Sequence, residues 1–172
     1  METKVTSHIV KGVILSTITI VFSTIVYVFN LYEMQSLNYL NYGLIIAGLI
    51  YGAILYSNEN NNHVTFGNVF AHGFKTTAVI IAITSIYTIL SIKFLFPEIV
   101  DISLRISRKK MESNPQIPKD TIEQNLNFVK EYFVSLTLGF SMVGLAILGL
   151  IGSLIGAAVA KKNTNPFENS AA

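Results

Sequence analysis

No cysteine occurs among the 172 residues, and only 13% of them are charged. The first absence excludes disulfides, thiolate metal sites and cysteine nucleophiles. The second is a deficit, because a soluble domain gives about a quarter of its residues to charge. Most of this chain therefore meets something other than water. Histidine is scarce too: His8, His63 and His72 leave little for a metal site, since zinc normally takes three or four ligands. No nucleophile elbow, Walker loop or paired-carboxylate cleft is present. The sequence thus leads us to expect no catalytic residue, no metal and no cofactor. A net charge of +2, carried in short basic clusters rather than along a stripe, gives no footprint for nucleic acid.

What the chain has instead is apolar length, 51% of it hydrophobic. The first charge-free run, Gly12 to Tyr32, would rise about 30 Å as a helix, the thickness of a bilayer's hydrocarbon core. It is longer than a signal-peptide core, and FNLYEMQS after it lacks a small-x-small cleavage pattern. The second run carries tyrosines toward both ends (Tyr39, Tyr42, Tyr51, Tyr56), where an aromatic belt would place them. The short link between these two runs makes them antiparallel neighbours. A polar, asparagine-rich loop follows, and a third run leads to Pro97, which cannot continue the helical ladder. The last run is charge-free from Tyr132 to Ala160 and ends in Lys161-Lys162.

The expected fold is all-α: an integral membrane four-helix bundle of two antiparallel hairpins, a single membrane domain spanning 1–172. Its helices are expected at about 9–32, 37–57, 66–96 and 132–160, with an amphipathic extramembrane segment at 97–131 and a disordered tail at 163–172. Within that segment Ile99, Ile102 and Ile106 share one helix face, as in an interfacial helix. Asp120 and Glu123 resemble a helix-capping pair, and Ile122, Leu126, Val129 and Phe133 form a second apolar stripe.

Four spans put both termini on one side, with Lys4, Lys11, Lys75, Lys161 and Lys162. The other side holds Lys93 and Lys130 near the helix ends, and the remaining bases in the long loop. Weighting charges near the helix ends predicts cytoplasmic termini.

Three patterns stand out as candidate sites. The last span has Gly152, Gly156 and Ala160 beside Gly149, Ser153 and Ala157, two small-residue ridges that let another helix approach closely. They serve either intramolecular packing, chiefly against the Gly48 and Gly52 ridge of the second span, or an oligomer interface. Serines and threonines of the first and third spans read as glue, bonding back to their own helix or across to a neighbour. No span carries charge at its centre, which argues against a proton-coupled transporter or ion pump. Both odd-numbered spans open with His-x-x-Lys: His8 with Lys11, and His72 with Lys75. That weak repeat reads either as interfacial anchoring or as a shared site for a lipid headgroup or other anion. Finally, Arg105, Arg108, Lys109 and Lys110 form an interfacial basic cluster suited to anionic lipid.

In its opening HIVKGVILS, in HVTFGNVFAHGFK ending at Lys75, and in the Phe-Pro-Glu after the third span, the chain resembles a bacterial membrane family of unknown function, DUF4199. The amphipathic PKDTIEQNLNFVKEYF and the glycine-rich final helix ending in Lys-Lys extend the resemblance. The NPQIP break stands where a more continuous acidic helix would be expected. The resemblance implies four membrane helices with no established activity, and an accessory place beside a glycosyltransferase acting on polyprenyl-phosphate carriers. The resulting expectation is a non-enzymatic multi-pass protein of the bacterial inner membrane, a scaffold or accessory subunit. Its partners would be the lipid bilayer, a membrane protein or further copies of itself, and an anionic lipid. The alternative is a small oligomeric transporter or flippase-like protein.

Overall fold

The computed structural model describes residues 5–162, so Lys4 and the 163–172 tail lie outside the described residues. Among the described residues all regular structure is helical: α1 (His8–Val28), α2 (Gln35–Glu59), α3 (Phe66–Leu90), α4 (Ile99–Glu112), α5 (Lys119–Glu131) and α6 (Phe133–Val159), with a π-helical turn at Ser91–Leu95. Four of them are long and apolar enough to cross a bilayer: His8–Val28, Gln35–Glu59, Phe66–Leu95 and Phe133–Val159. The protein is an all-α membrane protein.

Local chemistry sets the helix ends. At the start of α1, the Ser7 hydroxyl accepts a hydrogen bond from the Val10 amide at 3.3 Å, satisfying one of the donors that a helix N-terminus leaves open. The expected first helix ran to Tyr32, but α1 stops at Val28 because Asn30 takes a left-handed φ of 56°. There the amides of Asn30 and Leu31 donate to the carbonyls of Tyr27 and Val26 at 2.9 Å each, the two bonds of a Schellman ending. The asparagine-rich loop repeats the device after α2. Asn61 and Asn62 have φ of 53° and 62°, and their amides reach back to Asn58 and Ser57 at 3.0 and 2.8 Å. Asparagine tolerates this conformation better than most side chains, so the run of asparagines terminates the helix. It also makes Glu59 the last residue of α2, not a loop residue.

The third span ends in a wider turn. The Phe96 amide donates to the Ser91 carbonyl at 2.8 Å, a five-residue step just before Pro97 blocks continuation. The 97–131 segment contains two helices, α4 and α5. Asp120 and Glu123 do not cap α5: Pro118 holds the N-cap position, without a side-chain cap bond. Glu123 instead meets Arg108 of α4, since a guanidinium fork offers a carboxylate two charge-assisted bonds where a cap offers one.

The chain divides into two compact units, Met1–Thr84 with Gly144–Ala172, and Ser85–Val143. In the first unit small residues set the spacing between helices. A Cβ placed on Gly12 of α1 would lie 2.6 Å from the Val79 Cβ of α3, and one on Gly156 of α6 would lie 2.7 Å from the Ala53 Cβ of α2. Gly73 of α3 faces Ser153 of α6, Gly149 faces Thr77, Gly152 faces Leu49, and Gly48 of α2 faces Leu15 of α1. Two apolar clusters lie among these contacts. Ile45, Leu49 and Ile80 pack with Leu15 and Leu145, and Ala53, Val64, Val69, Ala157 and Ala160 pack with Tyr56 and Phe70.

Several span hydroxyls bond back to their own helices. Ser16 donates to the Gly12 carbonyl at 2.7 Å, Thr76 to His72 at 2.9 Å and Thr84 to Ile80 at 2.7 Å. In the second unit α4 and α5, joined by a short turn, pack together as a hairpin. Ile122 and Leu126 are its buried residues, and α4 buries none.

Candidate functional site

The expected site residues fall into three groups, and the structure treats each differently. The small residues singled out at the end of the last span are turned inward. Gly149, Gly152, Ser153, Gly156, Ala157 and Ala160 are buried within the chain, against α2 and α3 where glycine contacts fix their neighbours. They form helix-packing seams, and their close contacts are made inside one chain.

The first His-x-x-Lys pair leads to a polar cluster in the first unit. Lys11 lies one turn into α1 and is 6% exposed. Its ammonium stands 3.2 Å from the Glu59 carboxylate and also donates to the Gly52 carbonyl at 3.3 Å. It lies 5.6 Å from the centre of the Tyr56 ring, close enough for attraction to the ring face. Glu59 is held from a second direction. The Thr6 amide and hydroxyl donate to its two oxygens at 3.0 and 2.5 Å. Nearby, the Ser57 hydroxyl donates to the Lys161 carbonyl, just past α6.

The two histidine motifs do meet, through their histidines. The His8 and His72 rings form an edge contact with centroids 6.1 Å apart, and His72 stacks on Tyr56 at 4.0 Å. His72 is buried, and its Nε2 has no hydrogen-bond partner. The second lysine stands apart. Lys75 is exposed, one turn beyond His72 on α3, and is not part of the Lys11–Glu59 contact.

Chemically the Lys11–Glu59 half of this arrangement is satisfied, while the buried Nε2 of His72 is left without a partner. A buried ammonium keeps its charge only with a carboxylate and hydrogen-bond acceptors around it, and Glu59 with the Gly52 carbonyl provides both. The cluster joins the segment before α1 and the first turn of α1 to the C-terminal end of α2, and that end to the N-terminal part of α3, by the pair Thr6–Glu59, the pair Lys11–Glu59 and the stack Tyr56–His72. No group of three or more His, Asp or Glu side chains that could hold a metal ion occurs among the described residues.

Glu59 is the functional-looking residue that sequence reasoning alone misses. Its signal is present: a lone carboxylate directly after an apolar run whose antiparallel neighbour carries a lone lysine near its start.

The basic cluster of α4 sits in the second unit. Arg108 is bound to Glu123 by two bonds, at 2.5 and 2.9 Å, and lies 3.8 Å from Glu112. Hydrogen bonding to Arg108 holds the Glu123 carboxyl below its ordinary range, and the same bonds raise the Arg108 guanidinium. Arg105, Lys109 and Lys110 are exposed and enter no ion pair among the described residues. Between α4 and α5 runs an open groove of about 370 Å³, lined by Ser107, Lys110, Met111, Asn125, Phe128 and Val129.

No curated protein and no solved structure matches the chain. A family model does match, over residues 11–162, from the buried lysine of α1 to the second lysine after α6. That span takes in both units, so the chain belongs to the family described as Protein of unknown function (DUF4199).

Proposed function

We propose that this chain is a non-catalytic, multi-pass protein of the bacterial inner membrane, with both termini cytoplasmic, that serves as a scaffold or accessory subunit. In this reading its spanning helices form an up-and-down four-helix bundle, with the α4–α5 hairpin inserted in the chain between the third and fourth spans. The supporting observation is the pairing of Lys11: this buried cation, among the described residues of the first unit, already has its carboxylate in Glu59. A site that turns over substrate or passes an ion needs groups left open to it. The small-residue seams are likewise taken up inside the chain.

What remains outward is a sheath of apolar side chains such as Ile14, Ile18, Phe140 and Ile147, suited to lipid, and the hairpin with its free bases and exposed Phe128. The partner that fits is a membrane protein reading the hairpin. An enzyme acting on a phosphate-bearing lipid such as a polyprenyl phosphate suits the basic character of α4. Of the two His-x-x-Lys pairs, Lys75 is the lysine placed to meet an anionic headgroup, since Lys11 is engaged.

The test is purification of the full chain in mild detergent, followed by reconstitution into vesicles. A second membrane protein should co-purify in fixed ratio and be lost from the variant Arg105→Glu with Lys109→Glu, while the purified chain conducts no solute. Solute flux through the purified chain alone would replace the scaffold with a transporter. An export-dependent reporter fused after Lys162 should stay silent, and its activity would invert the orientation.

A further inference from the structure

The groove between α4 and α5 has two chemistries side by side. Met111, Phe128 and Val129 give it an apolar lining, and Lys110, Ser107 and Asn125 a polar one. Phe128 is 55% exposed, a large ring left uncovered where burial of an aromatic side chain would normally be favourable. It tilts against Tyr132 at 5.0 Å, so two aromatic rings lie together at the end of α5, next to the point where α6 begins.

Charge in this region is unevenly distributed. The last two turns of α4 hold Arg105, Arg108, Lys109 and Lys110 against the single acid Glu112. Arg108 takes Glu112 together with Glu123 of α5, while Lys110, the base that lines the groove, enters no ion pair among the described residues. Basic residues also suit a helix C-terminus through the macrodipole. That effect alone does not account for apolar side chains lining the same groove as one of them.

The hairpin is also tied to the bilayer at both ends. Three residues separate Leu95, the end of one apolar span, from Ile99, and one residue separates Glu131 from Phe133, the start of another. Links this short keep the hairpin close in the chain to the ends of both spans.

We infer that this groove seats one anionic phospholipid of the surrounding leaflet, its phosphate on Lys110 with Ser107 and Asn125, and its upper acyl chain along Met111, Phe128 and Val129. An amphiphile with a negative head and an apolar body matches both surfaces at once, and neither a free anion nor a purely apolar segment does. The inference deepens the scaffold reading, because a lipid seated there would be presented on the hairpin. It fails independently of that reading, since lipid retention needs no partner protein.

The experiment is lipid titration of the full-length protein in mild detergent, with phosphatidylglycerol and phosphatidylcholine as probes and bound lipid counted by native mass spectrometry. The wild type should retain phosphatidylglycerol in preference. Lys110→Gln should weaken that retention about fivefold, the ratio one basic residue contributes at an anionic surface. Phe128→Ser should weaken retention of both lipids, and Lys119→Gln, at the far end of α5, should change neither.

Because a variant can lose lipid by misfolding, a second reading uses the absence of native cysteine. Asn125→Cys should react with a water-soluble maleimide more slowly in vesicles containing phosphatidylglycerol than in phosphatidylcholine alone. Equal retention of the two lipids by the wild type would overturn the inference. Displacement of phosphatidylglycerol by inorganic phosphate alone would do so too, marking a free-anion site. A labelling rate at Asn125→Cys indifferent to lipid would leave a protein partner as the occupant and would equally overturn it.

Discussion

Lys11 and Arg108 are both cations paired with a glutamate from another helix, yet the two pairs do different work. The side chains of Lys11 and Glu59 are 7% and 13% exposed, while those of Arg108 and Glu123 are 42% and 55% exposed. The buried pair also draws on the Thr6 amide and hydroxyl and the Gly52 carbonyl. The exposed pair has water as a ready substitute. Burial decides the consequence of losing a partner: a charge stranded in a low-dielectric site is costly, and one at the surface rehydrates. The first unit therefore uses its charge to hold helices together. The second uses one pair to set a hairpin and leaves the remaining bases of α4 facing outward.

The contrast can be broken most forcefully at Glu59. Glu59→Gln leaves the Lys11 ammonium without its counter-charge, and a loss of about 3–5 kcal/mol is expected, read as a large drop in thermal unfolding temperature in detergent. A smaller effect is expected from the helix seams. Gly156→Ala must push its methyl against the Ala53 Cβ, which an added Cβ would meet at 2.7 Å, and overpacking of this kind costs about 1–3 kcal/mol. Gly139→Ala on the same helix, with nothing within 4 Å of the added Cβ, should be neutral or stabilising on the same unfolding assay.

The weakest effect belongs to the exposed pair. Arg108→Gln should leave the unfolding temperature nearly unchanged while widening the α4–α5 separation, measured between spin labels on cysteines introduced at Ser103 and Asn127. Acid should do the same. The Glu123 carboxyl is held below its ordinary value by Arg108, so the pairing is fully present above the ordinary carboxylate range. It is lost as pH falls through the lowered value. The label distance should be constant through neutral pH and grow only in that acidic window, and the growth should vanish in Arg108→Gln.

Much of the fold was legible in the sequence because long apolar runs admit few readings. Backbone polar groups in lipid must be satisfied internally, so runs of bilayer length become helices. The four spans, the Ile-rich face of α4 and the Ile122–Leu126 stripe of α5 all followed from length and period. Helix ends were harder to read. Asn30, Asn61 and Asn62 adopt left-handed backbone that hydropathy does not register, and they shortened α1 and carried α2 on to Glu59. The Asp120–Glu123 cap failed because a tertiary partner, Arg108, competed for the carboxylate.

The candidate site was legible in half. His-x-x-Lys spacing drew attention to His8, Lys11 and His72, which the structure gathers around Tyr56. Their counter-charge came from Glu59, a residue far along the chain that no local motif marks. Only the antiparallel pairing of α1 with α2, which sets the end of one beside the start of the other, brings Lys11 and Glu59 together.

The pairing of Lys11 with Glu59 inside the chain is the central claim, and a double-mutant cycle on Lys11→Met and Glu59→Met tests it most directly. If the pair is a lock made inside the chain, each single variant should unfold well below the wild type. The double variant should then lose far less than the sum of the two, because neither charge is left stranded. Losses that add to within about 0.5 kcal/mol would show the two residues to be independent. Lys11 would then be open to an anion from outside, and a pairing made inside the chain would be contradicted.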